Sequence, residues 1–249
     1  MASEYLKQKY KDVKPDEKIE LTAAQKRRNW WDYHKYWVLL GAVALIGCAL
    51  LVKDIFFRPE PDYQVGYVSK TVPPEEVLKN LQTRLEELGE DVNGDGRVIV
   101  ELIPYVLGFD SVSMIDVDAA SAGITRLTVD LSAGRVYVLL LDDPEGFQGR
   151  MGALSYLDGG LPPLDDPSYG SADWAEMVYA WDDCPVLTNM DLGTYTRFLD
   201  LSEQKLSGQE AMAGLYVGHR ATLNEGQKVS FAADEALWLR LTEGAADLK

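Results

Sequence analysis

The chain has 249 residues and a net charge of −16, from 40 Asp and Glu against 24 Lys and Arg. An acidic chain of this kind repels nucleic acid, so a nucleic-acid partner is excluded as the main reading. Two cysteines do not make a disulfide framework, and two histidines do not make a histidine-rich zinc site.

The charge is unevenly placed. Residues 1–57 carry 10 Lys/Arg and 7 Asp/Glu, whereas residues 58–249 carry 14 and 33. The first 35 residues read as a cytoplasmic tail with a basic end. Their polar composition predicts little order beyond a short helix near Leu21–Arg28. Lys26, Arg27 and Arg28 suit an anionic lipid surface.

Residues 36–52, YWVLLGAVALIGCALLV, hold no charge. As a helix they reach about 26 Å at 1.5 Å per residue, slightly under a hydrocarbon core of about 30 Å. The flanks close the gap: Lys53 snorkels outward, and Ile55, Phe56 and Phe57 extend the apolar surface. Trp30, Trp31, Tyr33, Tyr36 and Trp37 form an interfacial aromatic belt at the other end. The reading is a transmembrane helix over 36–57, with the lipid bilayer as its partner. Lys26, Arg27, Arg28 and Lys35 precede it and only Lys53 and Arg58 follow closely, which places the N-terminus in the cytoplasm. Leu45-Ile46-Gly47-Cys48 matches a lipobox. The long tail before it and the apolar ALLV after Cys48 favour an uncleaved anchor over lipidation at Cys48.

Residues 58–249 are expected to form an extracytoplasmic acidic α/β domain. Arg58-Pro59-Glu60-Pro61 is a stiff spacer, and YQVGYV (63–68) is a strand. Pro73-Pro74 opens a helix whose Val77, Leu81, Leu85 and Leu88 form one apolar stripe, closed by Gly89. RVIVELIPY (97–105) is a second strand, and its near-continuous apolarity implies burial on both faces. A helix over 117–132 and a strand at VYVLLL (136–141) follow. Asp143-Pro144-Glu145-Gly146 turns the chain. Strands are expected within 175–181 and 215–222, and a helix near Ala232–Thr242 whose Trp238 covers the sheet. The pattern predicts a βαβαβ unit: a mostly parallel sheet with helices on both faces, gaining antiparallel strands at one edge.

Residues 125–158, TRLTVDLSAGRVYVLLLDDPEGFQGRMGALSYLD, resemble a stretch common in extracytoplasmic solute-binding proteins. The arrangement of 63–141 is similar to one lobe of that family. The resemblance implies a ligand-binding lobe, although 192 residues are short for two lobes. The whole chain also resembles uncharacterised single-span membrane proteins of Gram-positive bacteria through its KRRNWW juxtamembrane segment, a likeness that carries no activity.

EDVNGDGRVIVEL (90–102) raises the sharpest chemical question. Asp91, Asn93 and Asp95 stand at positions 1, 3 and 5 of a calcium loop, Gly96 at the turn, and Arg97 offers its carbonyl at 7. Position 12 is Leu102 rather than Glu, so a helix–loop–helix site is incomplete. The loop is similar to the calcium loop of sugar-binding members of the solute-binding family, in which a distant carboxylate completes the shell. Asp142, Asp143, Glu145, Asp165, Asp166, Asp182 and Asp183 are the candidates. The alternative is a polar turn in which Asp and Asn side chains cap the backbone and the glycines supply positive φ. Calcium, if held there, is expected to be structural.

Other signals point to packing. Ser202-Glu203-Gln204-Lys205 matches S-x-x-K without its companion motifs. Asp142-Asp143 and Asp182-Asp183 are either paired carboxylates for hydrolysis or turn starters. Tyr169, Trp174, Tyr179 and Trp181 are either a sugar-stacking face or core. His219 reads as a strand histidine, and Cys184 as a buried filler or a free thiol. No catalytic residue is assigned. The expected protein is a membrane-anchored extracytoplasmic binding or assembly module, with a solute-binding-like ligand lobe and a carboxylate-dependent hydrolase as its rivals.

Overall fold

The computed structural model describes residues 22–56, 59–107, 117–163, 171–199 and 202–248. The chain divides into two compact units, residues 1–59 and 60–249.

Among its described residues the first unit holds one helix, α1 (Ala23–Phe56), of 34 residues. It is about 51 Å long at 1.5 Å per residue. Thr22 and Gln25 cap it reciprocally: the Thr22 N–H donates to Gln25 Oε1 at 2.9 Å, and the Gln25 N–H donates to Thr22 Oγ1 at 3.5 Å. Residues 23–35, expected mainly as tail, therefore continue the span as helix. It is the one helix among the described residues long and apolar enough to cross a membrane, and its most apolar 18-residue window, of mean hydropathy 2.1, buries nothing inside the fold. The side chains of Lys53 to Phe57 and of Arg58 lie outside the described residues.

The second unit begins with β1 (Tyr63–Ser69), α2 (Glu75–Leu88), β2 (Val100–Val106), α3 (Val117–Ser132), β3 (Val138–Leu141) and α4 (Pro144–Met151). Then come β4 (Val178–Ala180), α5 (Pro185–Thr188), β5 (Thr194–Leu199), β6 (Ser202–Ser207), β7 (Tyr216–His219), α6 (Glu225–Ser230) and α7 (Ala232–Leu241). Five strands form the main sheet in the order β2-β1-β3-β7-β4. β1 pairs parallel with β2 and β3, and β7 pairs antiparallel with β3 and β4. Four strands thus run one way and β7 runs against them. β2 and β4 are the outer strands. β2 carries Pro104 and the exposed Glu101, which accepts from the Gln64 amide at 2.7 Å across the β1 pairing. β4 has only three residues.

Two apolar clusters hold the sheet. One gathers Tyr63, Val65 and Tyr67 of β1 with Val77, Leu81 and Leu85 of α2 and Leu237, Trp238 and Leu241 of α7. The other gathers Val68 of β1 with Ile103 and Tyr105 of β2, Leu127 and Leu131 of α3, and Phe147 of α4. Neighbouring residues of β3 divide between them: Val138 and Leu140 join the first, Leu139 and Leu141 the second. That division follows from the two-residue period of a strand. Each fully buried aliphatic side chain contributes about 1.5–3 kcal/mol of transfer free energy.

Several boundaries differ from expectation. β2 starts at Val100, because Arg97–Ile99 finish the acidic loop, and β3 starts at Val138. Asp143-Pro144-Glu145-Gly146 begins a helix instead of a turn: Asp143 Oδ1 accepts from the Gly146 N–H at 2.9 Å, and Pro144 sits where no N–H is needed. The β5–β6 hairpin, a separate two-stranded sheet, was not expected. Gly208 at its base donates to the Gly193 carbonyl at 2.8 Å, and a Cβ at Gly208 would collide with the Leu192 carbonyl.

Candidate functional site

The strand order makes a seam between β1 and β3. The chain leaves β1 toward α2 and β2 on one side, and leaves β3 toward α4 on the other. In open α/β sheets such a divergence at the carboxyl ends of neighbouring parallel strands opens a crevice in which ligands bind.

Asp142 stands at that point. Its N–H donates to the Val68 carbonyl at 3.2 Å, which continues the β1–β3 pairing by one residue. Its Oδ2 accepts from Ser69 Oγ at 2.8 Å and from the Lys70 N–H at 2.7 Å. Its Oδ1 is shielded from solvent and has no hydrogen-bond partner among the described residues. Ser69 Oγ also accepts from the Thr71 N–H at 3.3 Å, so one carboxylate and one hydroxyl shape the start of the β1–α2 loop. Burial pushes the Tyr67 hydroxyl up to about 12; a hydrogen bond with Ser69 opposes this and the Asp142 charge adds to it. Tyr67 is thus a neutral hydroxyl at neutral pH.

Next to these residues lies a groove of about 390 Å³, bordered by Tyr67, Thr71 and Val72 after β1, Tyr195 and Arg197 of β5, and Glu210. That volume is within the range of small-ligand sites. Arg197 is exposed and makes no ion pair among the described residues. Glu210 Oε2 accepts from the Ser207 N–H at 3.1 Å as part of a capping box. A second hollow, of about 580 Å³, is bordered by Asp158, Glu176 and Asp247 and, among the described residues, by no basic one.

The acidic loop is built by its own carboxylates. Asp91 Oδ1 accepts from the Gly94 N–H at 2.7 Å and the Asp95 N–H at 3.2 Å, and Asp91 Oδ2 from the Gly96 N–H at 2.8 Å. Asn93 Oδ1 accepts from the Asp95 N–H and Asp95 Oδ1 from the Arg97 N–H, each at 2.9 Å. Gly94 and Gly96 take φ of 74° and 85°, the left-handed conformation that favours glycine. Asp62, just before β1, completes the loop. Its Oδ1 accepts from the N–H groups of Val92 and Asn93 at 2.9 and 3.0 Å, and its Oδ2 from that of Ile99 at 2.8 Å. Asp62→Ala, which strips three amides of their acceptor, is expected to cost about 2–3 kcal/mol, read from the urea midpoint at unchanged slope.

No group of three or more His, Cys, Asp or Glu placed to hold a metal occurs among the described residues. Of the proposed distant carboxylates, Asp142, Asp143 and Asp182 each accept from a backbone amide. Asp143 caps α4, and Asp182 Oδ2 accepts from the Gly214 N–H at 3.4 Å. Asp165 and Asp166 lie outside the described residues, as does Tyr169. Three of the four paired aspartates therefore give an oxygen to a backbone amide.

The other signals resolve into packing. Trp181 is wholly buried, Trp174 lies edge-on to Tyr216 at 5.6 Å, and Tyr179 stacks on Trp238 at 6.1 Å, so these rings share no single face. Burial, aided by the Asp183 charge, pushes the Cys184 thiol up to about 12, which makes it inert. Ser202–Lys205 lies along β6, where residues three apart face opposite ways. His219 packs between Tyr137 at 5.4 Å and Trp238 at 4.3 Å, with no hydrogen-bond partner of good geometry at either ring nitrogen.

Asp62, Ser69, Tyr67 and Arg197 were not singled out from the sequence. Only the rule that ligands sit at the carboxyl ends of parallel strands pointed toward two of them. No protein-family model, curated protein or solved structure matches the chain.

Proposed function

We propose that the protein is a single-pass membrane protein whose N-terminus is cytoplasmic and whose domain at residues 60–248 is an extracytoplasmic binding module. The observation that carries this reading is α1: an apolar window of mean hydropathy 2.1 that its own fold leaves entirely uncovered. A bilayer supplies the missing burial. The excess of Lys and Arg before the apolar run supports the orientation.

Binding is assigned to the groove beside Tyr67 and Arg197, at the carboxyl end of β1. Its place favours the ligand-lobe version of the module, similar to one lobe of extracytoplasmic solute-binding proteins, over the hydrolase, three of whose four paired aspartates give an oxygen to a backbone amide. Calcium at Asp91, Asn93, Asp95 and the Arg97 carbonyl is a further part of the reading and would be structural. The ligand spacing supports it, while the hydrogen bonds of the loop hold without a cation.

Protease added to intact cells is expected to remove a C-terminal epitope and spare an N-terminal one. The reverse pattern would overturn the orientation, and release of the chain by alkaline carbonate would overturn the anchor. On the purified full chain, millimolar calcium is expected to raise the melting temperature, an effect lost in Asp91→Ala and Asp95→Ala. An unchanged melting temperature would leave the loop as an amide-braced turn.

A further inference from the structure

We propose that residues 26–35 form a basic collar that recruits anionic lipids around the anchor, an inference that rests on the membrane reading above. Residues 23–35 continue α1 without a break for about 20 Å before the apolar run. The headgroup layer on one side of a bilayer is about 5–8 Å thick. Counted back from Trp37 along an upright helix, Tyr33 lies about 6 Å out and Trp30 about 10 Å out, within that layer and just beyond it. Lys26, Arg27 and Arg28 lie about 14–17 Å out, within a Debye length of its outer surface.

The side chains fit this place. Trp30, Trp31, Tyr33, Tyr36 and Trp37 are between 52% and 76% exposed. Lys35 is already partly neutralised by Asp32 at 3.7 Å and lies over the Tyr36 ring at 5.5 Å. Lys26, Arg27 and Arg28 are exposed and make no ion pair among the described residues. As consecutive residues they spread over about 200° of the helix, and Trp30 and Trp31 point about 100° apart. A helix lying flat on a membrane separates apolar and charged faces. This one does not, and its charges and rings surround the axis as they would on a helix standing through the headgroups.

The test uses the full chain in vesicles of phosphatidylcholine and phosphatidylglycerol, with tryptophan quenching by brominated acyl chains on one lipid or the other. The wild type is expected to be quenched by brominated phosphatidylglycerol with a several-fold preference, on the order of fivefold per effective charge at low salt. Lys26→Gln, Arg27→Gln and Arg28→Gln together should bring the preference to about one while leaving total quenching unchanged. Equal quenching by both lipids in the wild type, or the same preference in the triple variant, would overturn the collar. Quenching by neither lipid would overturn the anchor itself, which separates the two failures.

Discussion

Replacing Trp181 by alanine is expected to lower the unfolding free energy of the domain by about 3–5 kcal/mol, a large part of the total for a domain of this size. Trp181 is the bulkiest fully buried side chain among the described residues. Its backbone N–H donates to the Leu215 carbonyl at 2.8 Å, which continues the β4–β7 pairing past its last residue. Its indole Nε1–H donates to Gln209 Oε1 at 2.9 Å. The Gln209 amide in turn donates to the carbonyls of Leu187 and Met190 at 2.9 and 2.7 Å. Trp181 therefore fills the core and orients the glutamine that ties α5 to the base of the hairpin. Trp181→Phe separates the two roles. It keeps most of the volume and leaves Gln209 Oε1 unpaired, for an expected cost of about 1–3 kcal/mol. Denaturant titration of the two variants checks both values. Equal losses would mean that the glutamine bond, and not the ring volume, dominates.

Acid is expected to act on the domain through two groups with opposite signs. Burial lowers the His219 imidazole from its usual range to about 4, opposed in part by the backbone of Arg220 and Tyr156. The unfolded chain then binds more protons than the folded one between about pH 6.5 and 4, so stability is full above 6.5 and is lost as the pH falls toward 4. The loss attributable to this histidine is about 3 kcal/mol. Burial raises the Asp234 carboxyl to about 6, opposed in part by a backbone hydrogen bond. Here the folded chain holds the extra proton between about pH 3.8 and 6, so the contribution is full below 3.8 and is lost as the pH rises through 6. The two slopes oppose each other between pH 4 and 6. Relative to wild type, His219→Phe should gain stability as the pH is lowered from 6.5 to 4. Asp234→Asn should gain it as the pH is raised from 4 to 6. Difference curves cancel the many exposed carboxylates. Parallel curves for either variant and the wild type would show that its group does not titrate as its burial implies.

The elements that bury a regular face were legible in the sequence. Val77, Leu81 and Leu85 announced α2 by their spacing, and VYVLLL announced β3 because a strand covered on both faces has no polar positions. The β5–β6 hairpin was illegible for the opposite reason. TYTRFL and SEQKLS show no alternation of apolar and polar residues, and among their described side chains only Tyr195 and Leu206 are partly buried. α4 was legible in principle through Asp143 as cap and Pro144 at the first turn, but its two glycines read as a turn. At the site, local spacing revealed the capping oxygens of Asp91, Asn93 and Asp95. It could not reveal Asp62, which meets the loop from 30 residues away, nor the pairing of Asp142 with Ser69, which are 73 residues apart. Contacts of that span depend on which strands lie side by side, and strand order is not written in any one segment.

The margins of the main sheet limit how this domain can associate. An outer strand offers its free backbone groups as a template for another chain. On one margin Pro104 removes a donor from β2 and Glu101 adds a charge; on the other, β4 offers only three residues. Each margin therefore offers an incoming strand an interrupted or short template. The hairpin strands have six residues each, and Arg197, Glu203 and Lys205 stand on them as exposed charges. A partner that adds a strand at β5 or β6 would have to bring charges that answer theirs.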